Sequence, residues 1–522
     1  MSTTKVKKSS LFGSVGKVSG ATALSRVFGL VREQVMAYYF GASMATDVFV
    51  AAYRIPNLLR DLFAEGALSS AFVPVFKEKL VKGSDEDAFT LAQTVATAIL
   101  VVVGTVVLLG IIATPLIIYL SAHGFTSEPE KFDLTVSLTR IMFVYLLLVS
   151  LSALVMGILN SFGRFGIPAL SPALFNLGAI ISVVVLYHYL DVPIYALAIG
   201  ILIGGVGQLV VQLPQLWRIG FRFRWRLDLL DESFKKVVGL FLPMVAGMSA
   251  SRVNILVNTL FASYLMEGSL SYLNYSYRLM HFPLGVFAVA LGTVALPRAS
   301  EIAARNDRAG LGQSYRESLS LNMFLIIPSA VFLAVLGGNL IEVIYRYGAF
   351  SEADAANTAR ALFHYAYGLI GFAAVRVTVP VYYALHDSVR PMRISIATVV
   401  VNMILYWPLT RLLNFAGLAA ATSIAGLLNF ALLVYYLRAK EVEVPYASVA
   451  LKIFRVSVAS GLAVFGALMI PTIPDFGLSE TSSRLLEFAI KTASFGIAYL
   501  VFCLILRVEE VGMVVKRLSR RF

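Results

Sequence analysis

The chain holds one cysteine and five histidines, and only 14% of its 522 residues are charged. The lone thiol, Cys503, excludes an intramolecular disulfide and a cysteine-built metal cluster. Its apolar surroundings mark it as a small core or lipid-facing residue. Soluble domains carry about 25% charged residues, so charge is scarce here by nearly half. No Pro/Ser-rich linker divides the chain, no nucleotide-binding motif occurs, and no soluble module offers the basic surface that nucleic acid requires.

Apolar residues fill the space, at 58% with a mean hydropathy of +0.81. This composition describes an all-α polytopic membrane protein, because only helices and closed barrels satisfy their backbone in lipid and about 20 apolar residues make one helical span. The apolar runs predict about fourteen spans in a single membrane domain, near 11–39, 43–75, 90–120, 134–160, 167–187, 194–215, 235–264, 269–297, 318–337, 355–385, 394–412, 416–437, 447–471 and 484–506. Lys5, Lys7 and Lys8 precede the first run as in a signal peptide, but that run is too long and holds arginines, so an uncleaved first helix is expected.

With both termini in the cytoplasm, Lys and Arg concentrate strongly in cytoplasmic loops. The 216–236 loop contributes Arg218, Arg222, Arg224, Arg226, Lys235 and Lys236, whereas the outer loop 121–133 carries Glu128, Glu130 and Asp133. The net charge of +13 is thus mostly topology, and anionic headgroups are the expected partners of the basic loops.

A weak internal repeat organises the chain. Ser25-Arg26-Val27 recurs as Ser251-Arg252-Val253, Tyr53-Arg54-Ile55 as Tyr277-Arg278-Leu279, Ala67-Leu68 as Ala290-Leu291, and each copy ends in a proline, Pro74 or Pro297. An even number of spans separates the copies, so they share one orientation. The expectation is two pseudo-symmetric six-helix lobes, 1–230 and 231–440, with substrate bound between them and two appended helices in 441–522.

Arginine inside these spans is the clearest functional sign. Arg26, Arg32, Arg54, Arg60 and Arg278 each stand in apolar sequence, where a charge costs about 2.5–3.5 kcal/mol at the bilayer centre unless partners, water or an anion compensate. On a continuous helix Asp47, Arg54, Asp61 and Glu65 share one stripe, and Arg26 shares a face with Glu33. Acid and base therefore alternate along what reads as a cavity wall. Arg60 lies off that stripe unless Pro56 kinks the helix; alternatively Arg60, Asp61 and Glu65 snorkel to the cytoplasmic interface. Guanidinium groups grip phosphate bidentately and stay charged, so a phosphate-bearing substrate fits this set best.

The run Asn57-Leu58-Leu59-Arg60-Asp61-Leu62-Phe63-Ala64-Glu65-Gly66-Ala67-Leu68-Ser69-Ser70-Ala71-Phe72-Val73-Pro74 resembles the signature of the MurJ (MviN) lipid II flippases, within the multidrug/oligosaccharidyl-lipid/polysaccharide exporter superfamily. Ser25 to Arg32, Gly41 to Asp47, Ile158-Leu159-Asn160 with Arg164-Phe165, Tyr277-Arg278-Leu279-Met280 with Phe282-Pro283, and Leu291-Gly292-Thr293 follow the same pattern in order. The resemblance covers nearly the whole chain. It implies movement of undecaprenyl-diphosphate-linked MurNAc-pentapeptide-GlcNAc (lipid II) across the bacterial inner membrane by alternating access, for peptidoglycan synthesis. By motif position it also implies cavity arginines at Arg26, Arg32, Arg60 and Arg278, a cavity aspartate at Asp47, and a lipid-tail groove on the last two helices. Cell-wall synthesis and division proteins are candidate partners.

Some relatives carry glutamate three residues after the second-lobe arginine; this chain has His281, which is either a pH-sensitive group or a hydrogen-bonding histidine of fixed charge. Arg252 joins the candidates through the repeat, and Arg376 either lines the second lobe or ties helix ends. No cofactor, resident metal or enzymatic chemistry is expected, and membrane potential, protons or sodium all suit these residues as an energy source. Two rivals remain: a flippase for another polyprenyl-linked oligosaccharide, against which the long signature argues, and a membrane-embedded glycosyl- or phosphotransferase, against which the interleaving of acids with arginines argues.

Overall fold

The computed structural model describes residues 11–63, 67–440, 442–471 and 479–512, and every regular element among them is helical. Glu65, the Lys5–Lys8 cluster and residues 513–522 lie outside the described residues. The chain divides into two compact units, residues 1–270 and 271–522.

The first unit contains α1 (Leu11–Phe40), α2 (Met44–Phe63), α3 (Ala67–Lys82), α4 (Asp85–Ser121), α5 (Pro129–Ser161), α6 (Gly166–Leu186), α7 (Tyr195–Val210), α8 (Leu213–Arg218) and α9 (Glu232–Ser263). Gly41, at φ +62°, ends α1 in the left-handed conformation that favours glycine, and its carbonyl accepts the Thr46 hydroxyl at 3.0 Å. That turn delivers Asp47 to the first turn of α2, where the helix dipole favours an acid. At the start of α4, Ser84 and Asp87 form a capping box, and the Ser84 hydroxyl and N–H hold the Asp87 carboxyl below the usual carboxylate range. These polar caps end the apolar stretch and fix where the helix begins.

Helices α6 and α7 meet through glycine. A Cβ on Gly178 would lie 2.6 Å from the Gly204 backbone, and one on Gly204 would lie 2.5 Å from the Phe175 carbonyl. Gly200 and Gly204, four residues apart, form the small-residue stripe that permits such close approach in lipid.

The second unit holds α10 (Ser269–Pro283, its first two residues lying before the unit boundary), α11 (Val289–Ala304), α12 (Arg308–Val335), α13 (Gly337–Tyr345), α14 (Glu352–Ala384), α15 (Val389–Leu413), α16 (Phe415–Arg438), α17 (Tyr446–Leu468) and α18 (Glu480–Ile505). A π-helical segment, Leu284–Ala288, joins α10 to α11. It follows Pro283, which has no N–H to continue the ladder, so the hydrogen-bond register shifts there without ending the span. The core runs from Leu319 and Met323 through Tyr382 and Leu433 to Val456, Tyr499 and Cys503. Of its two expected settings, Cys503 takes the core one, fully buried. Tyr499 reaches across from α18 to donate to the Phe324 carbonyl at 2.6 Å, which docks the C-terminal helices on α12.

Among the described residues, eleven helical stretches are long and apolar enough to cross a membrane. The other three expected spans correspond to α1, α2 with α3, and α9, the elements that carry Arg26, Arg32, Arg54, Arg60 and Arg252. Eleven of the fourteen expected spans are thus matched among the described residues.

Gly204→Leu is expected to force α6 from α7 and to destabilise the protein by about 1–3 kcal/mol, the usual scale of overpacking. A melting curve of the purified variant in detergent checks this; an unchanged midpoint would mean that the helices part at no cost.

Candidate functional site

The stripe on α2 faces α9. Asp47 is buried, with 2% of its surface exposed, and its Oδ2 accepts the Gly268 N–H at 2.8 Å. One seven-residue step along, Arg54 Nη1 donates to Asn258 Oδ1 at 3.3 Å, to the Ile255 carbonyl at 3.4 Å and to the Thr259 hydroxyl. A further step along, Asp61 Oδ2 pairs with Arg252 Nη1 at 2.9 Å. All these partners lie between Arg252 and Gly268, on α9 or the turn that follows it. The alternation that the sequence shows as a charged wall thus forms an internal polar seam, in which each group is met by a group of complementary character.

Arg60 sits beside the seam. Its Nη2 is 3.1 Å from Asp61 Oδ1 and its Nη1 donates to the Tyr53 hydroxyl at 3.4 Å. Helix α2 runs unbroken through Pro56, and Arg60 joins Asp61 of the stripe because the two are chain neighbours with the guanidinium turned to the carboxylate. Asp61 therefore carries two guanidinium groups, one from α2 and one from α9.

On α1, Arg26 is exposed, while Arg32 and Glu33 form a largely buried pair at 2.7 Å. The Arg32 guanidinium also lies 5.6 Å from the centre of the Phe175 ring on α6, a cation–π contact. Asn176 on the same helix donates to the Ser25 carbonyl at 3.3 Å, so α6 braces the stretch of α1 that presents both arginines.

Beyond the spans, Glu78 of α3 binds Lys236 of α9 at 2.6 Å, and Lys79 binds Asp231 at 3.2 Å. Hydrogen bonds from Lys236 and then Lys82 pull the Glu78 carboxyl down to about 2. A depressed carboxylate contributes above its unfolded value and loses that contribution as pH falls through the folded one, so this tie is intact at neutral pH and dissolves only in strong acid.

The second unit gathers three of the expected residues. Arg278 on α10 and Arg376 on α14 are both exposed and lie near enough to His281 to act on it electrostatically. His281 Nδ1 donates to the Tyr277 carbonyl at 3.2 Å, and its ring packs on the Tyr277 ring at 3.9 Å. Because a carbonyl can only accept, Nδ1 carries a hydrogen in that bond. Helix α14 passes close to α11 here, since a Cβ on Gly292 would lie 2.8 Å from the Arg376 carbonyl.

Of the α9 partners, the repeat singles out Arg252 in the sequence but not Asn258 or Thr259. Asn258 and Thr259 are ordinary polar residues in an apolar run, and only their spacing after Arg252 offers a clue. Asp61 stood on the predicted stripe without a role.

Charged groups neutralised among long apolar helices mark a polytopic membrane protein. The fold is similar to that of an inward-facing multidrug resistance MATE family transporter of the MOP superfamily, which superposes with a TM-score of 0.65 over 80% of this chain and 94% of its own, at 12% identity. A structure described as lipid II flippase MurJ in an inward closed conformation matches more fully, with a TM-score of 0.76, 28% identity, and coverage of 94% of this chain and 99% of that one. The family profile for lipid II flippase MurJ matches residues 36–482, and the chain belongs to that family. The lipid II flippase MurJ of Burkholderia cenocepacia is 35% identical over 439 residues, 83% of this chain and 85% of that protein. The probable lipid II flippase MurJ of Vibrio cholerae is 35% identical over 440 residues, 81% and 84% of the two chains.

Because Glu33 is buried and paired whereas Arg26 is exposed, Glu33→Ala is expected to cost about 3 kcal/mol by stripping a buried guanidinium of its carboxylate, and Arg26→Ala far less. Parallel melting curves decide it. Equal midpoints would show that the Arg32–Glu33 pair adds nothing to the fold.

Proposed function

We propose that this protein is a lipid II flippase of the bacterial cytoplasmic membrane. It moves the undecaprenyl-diphosphate-linked disaccharide pentapeptide from the inner to the outer leaflet by alternating access. The observation that carries this reading is the match to lipid II flippases along nearly the full chain, in sequence and in fold together. An arginine set in the first unit is the chemistry such a headgroup requires, because guanidinium groups bind diphosphate without losing their own charge.

In this reading Arg26, Arg32 and Arg60 engage the diphosphate and neighbouring sugar from the first lobe, and Arg278 engages it from the second. Exposure of Arg26 and Arg278 supports that assignment, since neither is sealed in a core. Asp47 is the cavity aspartate of this set, and its bond to the Gly268 N–H supports a place for it at the turn before α10. Glu33, Arg54, Arg252, His281 and Arg376 shape the polar surroundings, with Glu65 in the same stretch of sequence. The lobes correspond to 1–230 and 231–440, with fourteen spans and both termini in the cytoplasm.

Residues 441–522 supply α17 and α18, whose exposed Phe454, Leu462, Phe465, Ile497 and Leu504 suit an apolar groove for the prenyl chain. The headgroup crosses while the tail stays in lipid, so no bond is made or broken and the protein acts as a transporter rather than an enzyme. Transport requires that the site bind its ligand unequally in the two states.

The test is complementation of cells depleted of their own lipid II flippase, with every chain at matched membrane abundance. The wild-type chain is expected to restore growth, and Arg26→Ala, Arg32→Ala and Arg278→Ala to fail. Rescue by all four would keep the function and discard the site; failure of well-folded wild type, with host partners supplied, would overturn the function.

A further inference from the structure

One carboxylate in the seam holds two cations. Asp61 meets Arg60 through Oδ1 at 3.1 Å and Arg252 through Oδ2 at 2.9 Å. The three side chains keep only 19%, 14% and 27% of their surface exposed, so water screens them weakly.

The position of Asp61 makes its neutralising role plain. It sits between two guanidinium groups, one on its own helix and one on α9. These two groups hold the carboxylate in place. Arg252 is also under-used: its Nη1 binds Asp61 while its buried Nε has no hydrogen-bond partner among the described residues. A guanidinium with a vacant edge can accept a second oxyanion oxygen side by side with the first.

Building on the flippase reading, we propose that Asp61 is an internal substitute for the substrate's anion: it occupies Arg60 and Arg252 while the site is empty, and a lipid-linked diphosphate takes its place. Arg252 is then a substrate-binding arginine on α9, and Asp61 a positioning residue that never needs to touch the substrate.

Charge decides the order of events. A diphosphate diester carries about two negative charges, enough to neutralise Arg60 and Arg252; keeping Asp61 between them would add a third negative charge at short range in a poorly screened site. The carboxylate therefore leaves as the diphosphate enters. Asp61–Arg252 is also a bond between α2 and α9, so the exchange removes one tie between these helices whenever substrate binds. Arg54 with Asn258 and Thr259 stays as a second tie, because those partners are neutral and do not compete for an anion. Substrate binding thereby has different consequences in the tied and untied states, which is what a ligand must do to shift a conformational equilibrium.

The experiment uses the full-length protein in proteoliposomes, with undecaprenyl diphosphate as the binding probe and lipid II for translocation. Asp61→Asn removes the competitor, so it is expected to bind the probe about ten-fold more tightly, the value of one charged hydrogen bond, while translocating lipid II more slowly than wild type. Asp61→Glu restores the carboxylate and is expected to return binding to the wild-type value. Adding Arg252→Ala to Asp61→Asn is expected to cancel the gain. If the Asn variant does not fold, Asp61→Ser serves the same comparison. Unchanged or weaker binding by the neutral variant, with a lowered melting temperature, would reduce Asp61 to a structural tie and overturn the proposal. A double variant that keeps the full gain would overturn the role of Arg252. Wild type that moves lipid II while either result holds leaves the flippase reading standing, whereas wild type that does not move lipid II overturns both.

Discussion

A full positive charge buried in a membrane helix must meet compensation within the span of its own side chain. That constraint orders the first unit. Arg32 finds Glu33 and the face of Phe175; Arg54 finds an amide, a hydroxyl and a carbonyl on α9; Arg252 finds Asp61. Each solution fixes a neighbouring helix. The polar groups are few, but in hydrocarbon an unmatched polar group is costly enough for a few of them to specify which helices lie together.

Apolar contacts supply the bulk and tolerate variation; the polar seam and the glycine crossings supply register. Between α6 and α7 the backbones approach so closely that side chains are excluded. Between α2 and α9 the register follows from three matched groups spaced by seven residues on α2, a spacing that keeps all three within one narrow face. The two devices complement each other, one packing by absence of side chains and the other by pairing them. At the Pro283 break a third device operates: a π-helical turn carries the chain past a missing N–H immediately after Arg278 and His281.

Transport by such a fold depends on charges that are stable when empty and still available to a ligand. In the proposed site, Arg26 and Arg278 would meet this requirement through exposure, and Arg32 and Arg60 through partners that are themselves charged. A neutral seam, like that around Arg54, holds helices in either state. A charged one, like that at Asp61, responds to an arriving anion. The same residue type thus plays fixed and exchangeable parts according to what stands opposite it.

The sequence by itself determined the class of the molecule. Hydropathy gives the helices, arginine in apolar runs marks the polar interior, and the motifs from Arg26 to Arg32 and from Asn57 to Pro74 identify the family, because each of these signals is local and repeats at helical spacing. The stripe Asp47, Arg54, Asp61 was legible for the same reason. What opposes the stripe was not. That Asp61 pairs with Arg252, that Arg54 is answered by Asn258 and Thr259, and that Asp47 caps the turn at Gly268 depend on residues about two hundred positions apart in the chain. The spans on α1 and α2 are harder to read by length and hydropathy, because their arginines and acids lower the signal that defines a span. Periodicity fixes which face a side chain takes on its own helix; only the packing of helices in three dimensions decides which partner neutralises it.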